Sequence, residues 1–289
     1  MWAVSVDHYE NFPVASLLCP PALRPAVAAI YWFARTADDL ADEGDAPAQQ
    51  RQADLAAYRD ELQRAVEGQP AQGRWPAVFG PLGPVIRRWQ LSPRLFVDLL
   101  SAFEQDTHQR EYADRAALLD YCRRSANPVG RLLLQLYGVS DPLALQRSDA
   151  VCTALQLANF WQDLRTDLPR GRLYLPLADC RRHDLQPDVL LAGGDSPALR
   201  ALMAELVGWA RSLMDEGAPL VHQIPGRAGW ELRLVVQGGL RILDKVEAQG
   251  YDTLSRRPRL RAWDLPVLLW RALRMRRADA TLPPREVTP

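Results

Sequence analysis

Lysine is almost absent from this sequence of 289 residues, because Lys245 is the sole lysine among 35 basic residues. The basic residues are matched by 35 acidic ones, so the chain has no excess charge that would attract a nucleic acid. Its 4 cysteines show no CxxC or Cys/His spacing, and the chain start lacks the basic and apolar regions of a signal peptide. We therefore expect a reduced, cytoplasmic protein that binds no nucleic acid.

Long apolar runs and alternating β-branched runs are also missing. No stretch approaches the roughly 18 apolar residues that span a bilayer, so contact with a membrane would be peripheral. Apolar residues instead recur at helical spacing near residues 25–43, 47–67, 93–107, 115–138, 142–168, 197–217 and 230–249. We predict one all-α domain over residues 1–289, with Gly/Pro-rich connections at 68–84 and 169–196.

Prolines mark where several of these helices begin and where one should break. A proline follows a small or capping residue at Ala46-Pro47, Ser92-Pro93, Asp141-Pro142 and Ser196-Pro197. Proline at the first helical position loses no hydrogen bond, so each pair predicts a helix start. Pro128 lies inside the fourth helical segment, where it removes a backbone bond and clashes with the preceding turn. We predict a kink there, of the kind that often opens a cavity.

Two aspartate pairs at i,i+4 spacing each lie in a polar stripe of an otherwise apolar segment. The first stripe is Tyr31, Arg35, Asp38 and Asp42, and the second is Gln156, Asn159, Asp163 and Asp167. Residues at these spacings share one helix face. For either pair alone, a solvated helix face is the more common explanation. If the stripes face each other, the four carboxylates need cations to neutralise them, and their hard oxygen atoms suit Mg²⁺.

These motifs resemble those of the squalene and phytoene synthases, which are all-α isoprenoid synthases with Asp-rich motifs on opposed helices. The run Gly171-Arg172-Leu173-Tyr174-Leu175-Pro176 follows the second motif as it does in that family. Tyr121 stands where the family has an active-site tyrosine, before an Ala-x-x-Val-Gly segment. The resemblance covers roughly residues 8–255. It implies an isoprenoid-synthase helical bundle around a central cavity.

The resemblance also implies roles for individual residues in the ionisation of a prenyl diphosphate. Mg²⁺ would be held by Asp38, Asp42, Asp163 and Asp167. The catalytic residues would be Arg35, Tyr121, Asn159 and Arg172. Substrate would be contacted by Asn11, Phe12, Tyr31, Gln156 and Tyr174. The aromatic residues Phe33, Phe160 and Trp161 are candidate walls for the cation cavity, although aromatic residues at helical spacing more often belong to the core.

A narrower resemblance, carried by residues 8–16, 34–45 and 159–164, is to the hopanoid-pathway branch of the family, the hydroxysqualene synthases. Many relatives have a Ser/Lys-rich stretch after the histidine, where lysine helps to hold a diphosphate, but Glu10 and Asn11 stand here. This implies ionisation of presqualene diphosphate and quenching of the cation by water. The alternatives are a head-to-head condensing enzyme that makes presqualene diphosphate, squalene or phytoene, and a catalytically dead assembly factor of the same fold.

Residues 255–289 form a basic C-terminal segment in which arginines, Arg257 among them, alternate with tryptophan and leucine. Such a pattern is typical of an amphipathic element that rests on an anionic membrane. A helix that packs on the domain and exposes its arginines to water is the alternative. Neither reading predicts an oligomeric state.

Overall fold

A computed structural model of the protein describes residues 19–224 and 226–275. Within these ranges the chain is all-α, as predicted, and Glu111 and Leu173 form an isolated bridge instead of a strand. No helix in this part of the chain is both long and apolar enough to cross a membrane. The helices are α1 (Arg24–Asp42), α2 (Ala48–Val66), α3 (Pro76–Trp89), α4 (Pro93–Asp106), α5 (Arg115–Ser125), α6 (Asn127–Leu136), α7 (Pro142–Gln162), α8 (Leu164–Asp167), α9 (Leu177–Arg182), α10 (Pro187–Leu191), α11 (Pro197–Gly217), α12 (Gly226–Ala248) and α13 (Leu265–Arg274).

The predicted helix starts at prolines are confirmed. α4, α7 and α11 begin at Pro93, Pro142 and Pro197, and α2 begins directly after Pro47. Two of these starts carry side-chain caps. The Asp141 carboxylate accepts a hydrogen bond from the Ala144 N–H at 2.8 Å, and the Ser196 hydroxyl accepts one from the Leu199 N–H at 3.1 Å. These bonds satisfy N–H groups that have no partner within the helix.

Helix α3 lies partly in the stretch of residues 68–84 that we predicted to be a connection, so that prediction is wrong. Proline inside a helix costs a backbone hydrogen bond, and α3 contains Pro81 and Pro84. Its apolar residues Phe79, Leu82 and Ile86 are nevertheless buried against α1 and α2. Burial of each such side chain contributes roughly 1.5–3 kcal/mol, which outweighs the lost bonds. The predicted connection 169–196 likewise contains the short helices α9 and α10.

Two predicted helices are each divided. The kink predicted at Pro128 is present, since α5 ends at Ser125 and α6 begins at Asn127. The second break was not predicted and falls between α7 and α8 at Asp163, whose φ and ψ are −103° and 10°. The Thr166 hydroxyl donates to the Asp163 carbonyl at 2.8 Å, which offers this carbonyl a local partner. The chain therefore bends within the second aspartate motif.

The apolar core has two large parts. One joins α1, α2, α3 and α4 and contains Phe33, while the other joins α7 and α11 and contains Trp161. Both side chains are 0% exposed and pack among core residues. Phe33 and Trp161 are therefore core residues and not walls of a cavity. Between the two parts, α1 and α7 face each other across the central cavity.

Helices α7 and α11 approach each other most closely where a glycine stands on α11. A Cβ atom at Gly217 would lie 2.6 Å from the Arg147 carbonyl oxygen and 2.8 Å from the Val151 nitrogen. Both are backbone atoms, which move only if the helices separate. Gly208, on the same helix, has nothing within 4 Å of the corresponding position.

We predict that Gly217→Ala lowers the free energy of unfolding by about 1–3 kcal/mol, because the helices must move apart. Gly208→Ala is the matched control, and it should raise that free energy by about 0.5–1 kcal/mol because alanine favours the helix. Urea unfolding of both variants measures the two effects. Equal stability of Gly217→Ala and the wild type would contradict the close packing.

Candidate active site

The two aspartate stripes face each other across a cavity of about 620 Å³, called here the main cavity. From α1 it is lined by Tyr31, Arg35 and Asp38, and from α7 by Gln156 and Asn159, with Asp163 directly after that helix. The i,i+4 relation across the break is kept, because the Asp163 N–H donates to the Asn159 carbonyl at 3.0 Å and the Asp167 N–H to the Asp163 carbonyl at 3.0 Å. The spacing in the sequence therefore corresponds to shared faces in the fold.

A smaller neighbouring cavity of about 140 Å³, the carboxylate cavity, holds the remaining aspartates. It is lined by Asp42, Asp167, Arg172 and Tyr174, and it shares Asp38, Asp106, Tyr121, Gln156 and Asn159 with the main cavity. The structure thus brings together every predicted site residue that it describes. Asn11 and Phe12, together with Glu10, lie outside the described residues.

Arginine side chains neutralise two of the four aspartates. Arg172 contacts both carboxylate oxygens of Asp42, with Nη1 at 3.1 Å from Oδ2. Arg257 contacts both oxygens of Asp163, with Nη2 at 3.1 Å from Oδ2. Each pair joins residues at least 94 positions apart in the chain. The carboxylates are thereby held in place by partners that also suit a diphosphate.

Arg35 makes its contacts within α1 and just beyond it. Its guanidinium lies 2.6 Å from Asp39, 2.5 Å from Glu43 and 3.4 Å from Asp38. Arg35 therefore faces the main cavity with part of its charge already balanced by Asp39, which does not line either cavity.

Sequence reasoning missed two residues of this site, Asp106 and Arg257. Asp106 ends α4, lines both cavities and accepts a hydrogen bond from the Tyr121 hydroxyl at 2.8 Å. No second acidic residue stands four residues before or after Asp106, so the sequence contains no aspartate pair that would have marked it. Arg257 was assigned to the basic C-terminal segment, but the structure places it and Arg259 in the wall of the main cavity.

Burial and mutual repulsion make these carboxyl groups hard to ionise. Burial, with added repulsion from Asp42 and Asp39, raises the pKa of Asp38 to about 6 although Arg35 opposes the shift. Burial raises the pKa of Asp106 to about 7, and burial together with Asp163 raises the pKa of Asp167 to about 7. A cation that enters the carboxylate cavity would reverse these shifts.

The donor set fits a hard divalent cation such as Mg²⁺, because it consists of carboxylate oxygens that repel one another. Within residues 19–224 and 226–275, no three acidic, histidine or cysteine side chains already stand close enough together to hold a metal ion. Two of the aspartates are occupied by Arg172 and Arg257. A metal ion bound at Asp42 or Asp163 would therefore compete with these arginine contacts.

Stacked aromatic rings form the inner wall of the carboxylate cavity. The rings of Phe160 and Tyr174 lie 3.9 Å apart and within 8° of parallel, and Tyr112 stacks on the other side of Tyr174 at 5.7 Å. Phe160 lines this cavity, so it is a wall residue as well as part of the core. The rings leave the polar groups facing one way, toward the cavities.

Beside the main cavity lies a mostly apolar one of about 130 Å³ between α1, α6, α7 and α12. The two share Val129, Cys152 and Leu155. Ser125 and Ala126, at the kink before Pro128, line the main cavity beside this junction. A ligand with a charged end and a long apolar chain would find both environments side by side.

The chain is similar to known proteins over most of its length. A model of the squalene/phytoene synthase family matches residues 6–264. A phytoene synthase of Thermus thermophilus is 35% identical over 280 residues, which are 96% of this chain and 91% of that protein. A hydroxysqualene synthase of Rhodopseudomonas palustris is 34% identical over 254 residues, which are 87% and 84% of the two chains. The crystal structure of squalene synthase HpnC from Alicyclobacillus acidocaldarius superposes with a TM-score of 0.77 at 40% identity, covering 85% of this chain and 90% of that one.

The raised pKa values predict how stability depends on pH. Asp106 has a pKa of about 7 in the fold against an ordinary 3.8, so folding becomes less favourable as pH rises through about 4 to 7. Asp106→Asn keeps an acceptor for Tyr121 but removes this titration. In metal-free buffer, its melting temperature should therefore exceed that of the wild type at pH 8 and match it near pH 4.

Asp120→Asn is the control with the opposite sign, because hydrogen bonds from Arg123 hold the pKa of Asp120 below its ordinary value. This exposed variant should gain no stability at pH 8. Thermal unfolding across the pH range measures both. If the melting temperatures of Asp106→Asn and the wild type changed in parallel with pH, this result would contradict a raised pKa for the buried Asp106.

Proposed function

The chain belongs to the squalene/phytoene synthase family, and we propose that it ionises presqualene diphosphate so that water quenches the cation, giving hydroxysqualene and pyrophosphate. Family membership makes it an enzyme of isoprenoid biosynthesis that acts on a prenyl diphosphate. The observation that carries the proposal is the arrangement of the two cavities, in which opposed carboxylates line the main cavity and an apolar cavity adjoins it.

Mg²⁺ would be held by Asp38, Asp42, Asp163 and Asp167, where it would act as a Lewis acid that stabilises the charge on the departing diphosphate. The residues fit because they are clustered carboxylates, two of which, Asp38 and Asp167, have pKa values raised by burial and by neighbouring acids. Arg172 and Arg257 already lie against Asp42 and Asp163. Once those carboxylates hold cations, both guanidinium groups are free to contact diphosphate oxygens.

The polar residues around the diphosphate orient it and stabilise its negative charge. Arg35 and Arg172 supply charge-assisted hydrogen bonds, which are strongest when a guanidinium contacts two oxygens at once. Tyr121 is held by Asp106, so its hydroxyl has a fixed direction. Asn159 and Gln156 line both cavities and can contact either the diphosphate or the ligands of the cation. Tyr31 and Tyr174 complete the polar rim.

The carbon chain would lie along the apolar residues of the main cavity and its apolar neighbour, away from the carboxylates. The bond from carbon to the diphosphate oxygen breaks, and its electron pair leaves with pyrophosphate. A water molecule then adds to the rearranged cation, and its proton passes to pyrophosphate or solvent. Condensation of two diphosphates is disfavoured by Glu10 and Asn11, which stand where a cationic stretch would grip a second diphosphate. The names of the relatives support both the water quench and condensation, since phytoene synthases are among them.

We predict that the purified protein with Mg²⁺ converts presqualene diphosphate to a C30 alcohol and pyrophosphate without NADPH. In H₂¹⁸O the alcohol should gain two mass units, because its oxygen comes from solvent. Farnesyl diphosphate alone should not be consumed. Mass spectrometry of the extracted products makes all three measurements.

The other products identify the alternatives. A cyclopropyl diphosphate formed from farnesyl diphosphate would establish the condensing reaction, as would phytoene formed from a C20 substrate. Squalene that appears only with NADPH would show that hydride, and not water, ends the reaction. Any of these three products would refute the water-quench proposal while leaving the family assignment intact.

We further propose that the outer face of α13 rests on an anionic membrane, where a C30 product would partition. Leu268 and Ala272 pack inward, but the large side chains that point outward are between 46% and 64% exposed: Trp263, Leu265, Leu269, Trp270 and Leu273. Arg261 and Arg274 lie 4.8 Å over the rings of Trp263 and Trp270. Exposed apolar surface next to cationic groups complements an anionic lipid surface, to which each arginine adds about 1 kcal/mol.

We predict that the double variant Trp263→Ser/Trp270→Ser binds vesicles containing phosphatidylserine at least about tenfold more weakly than the wild type, because it loses both anchoring rings. Leu143→Ser, another exposed apolar residue at 48% exposure, is the control and should bind normally. Co-sedimentation measures binding, and sedimentation velocity measures mass. Unchanged vesicle binding would retire the membrane proposal, and a wild-type dimer that the double variant dissociates would identify the face as a contact between two copies.

A further inference from the structure

A fourth cavity, the outer cavity, lies on the other side of Asp42 from the carboxylate cavity. Its volume is about 470 Å³, and four arginines line it: Arg51, Arg110, Arg170 and Arg172. Asp42 is the sole acidic group among the described residues in its wall, and the other side chains there are alanines and Thr107. Such a space suits a small, multiply charged anion and offers no apolar wall for a prenyl chain.

Two of the four arginines are committed to other groups. Arg51 donates to the carbonyl oxygens of Ala46, Glu43 and Gly44 at 2.6–2.9 Å, which closes the turn after α1. Arg172 contacts both oxygens of Asp42. These two side chains shape the cavity, but their donors are largely in use.

The other two arginines have donors to spare. Arg170 is 64% exposed and reaches Asp42 from 3.4 Å, which is a long contact for an ion pair. Arg110 makes no ion pair and no side-chain hydrogen bond within residues 19–224 and 226–275. Together with Arg172 they place three guanidinium groups in the wall of one cavity. Their mutual repulsion falls when an anion joins them, by the same argument that calls for a cation among the aspartates.

The backbone holds these arginines in place. The Leu173 N–H donates to the Arg110 carbonyl at 2.8 Å, so Arg110 lies beside the residue that follows Arg172. Gly171 adopts the left-handed conformation, with φ of 71°, and this turn lets Arg170 and Arg172 both reach Asp42. The arrangement is therefore a built feature of the segment and not a chance meeting of long side chains.

The pair Asp42–Arg172 lines both the outer cavity and the carboxylate cavity, so it divides them. Asp42 is also a predicted ligand of the cation that accompanies the diphosphate. When Arg172 leaves Asp42, this ion pair no longer separates the acidic carboxylate cavity from the basic outer cavity. A pyrophosphate that leaves the inner space would meet Arg170 and Arg110 first.

We propose that the outer cavity binds inorganic pyrophosphate on its way out of the active site, with Arg110 and Arg170 as the binding residues. The proposal rests on the proposed function for the source of the pyrophosphate. It assigns no chemistry to the outer cavity, which takes the leaving group after the bond has broken. Inorganic phosphate, with less charge, should bind more weakly at the same place.

The test is calorimetric titration of the full chain with pyrophosphate in EDTA. Without a divalent cation the carboxylate cavity repels pyrophosphate, and the comparison with the double variant separates the outer arginines from those of the main cavity. The wild type should bind, and Arg110→Gln/Arg170→Gln should bind about tenfold more weakly or not at all, since it loses two charged donors. Arg170→Lys should keep most of the affinity because it keeps the charge. Arg181→Gln, an exposed arginine outside both cavities, is the matched control and should behave as the wild type.

Turnover adds a second readout. With Mg²⁺ and presqualene diphosphate, the double variant should show an inhibition constant for pyrophosphate raised by a similar factor, while KM for the prenyl diphosphate changes less than about twofold. Unchanged pyrophosphate affinity in EDTA would overturn the proposal, and so would a KM that rises in parallel, which would place these arginines in the substrate site. The EDTA titration needs no turnover, so failure of the product assignment would not be mistaken for failure of the outer cavity.

Discussion

Repulsion between aspartate side chains in a half-buried space is the constraint on which this structure depends. Asp38, Asp106 and Asp167 share the carboxylate cavity, and burial raises the pKa of each toward neutrality. In isolation such a cluster destabilises the fold above neutral pH. The arginines that contact Asp42 and Asp163 relieve part of this repulsion, and cations bound with a diphosphate would relieve the rest. Binding of the cations and the diphosphate would therefore remove the repulsion that raises the free energy of the unliganded site.

The fold serves this arrangement by keeping the acids on elements that cannot collapse toward each other. α1 is anchored by Phe33 in one half of the core, and α7 by Trp161 in the other. The close contact between Gly217 on α11 and the backbone of α7 holds α7 in position. The kink before Pro128 leaves space between the halves, where the main cavity meets the apolar one. This division of the core places the charged groups in the main cavity and apolar side chains around the neighbouring cavity.

Local patterns in the sequence predicted the all-α fold and most of the site, because helical spacing places Asp38 with Asp42 and Asp163 with Asp167 through local geometry. What they missed depends on contacts between distant parts of the chain. Burial stabilised α3 despite Pro81 and Pro84, and no local rule reports burial. Arg257 meets Asp163 across 94 residues, so its arginine-rich surroundings suggested a surface role instead. The resemblance to a known family supplied the reaction, which spacing alone did not.

The most direct test of the account is the rate of Mg²⁺-dependent pyrophosphate release by Asp38→Asn. Removing a ligand of the cation should slow release by about a thousandfold or more, and the melting temperature should stay equal or rise because a buried charge is gone. Asp39→Asn, whose side chain pairs with Arg35 outside the cavities, should cost far less. If Asp38→Asn released pyrophosphate at the wild-type rate in Mg²⁺, this result would contradict the claim that the opposed carboxylates drive the loss of diphosphate.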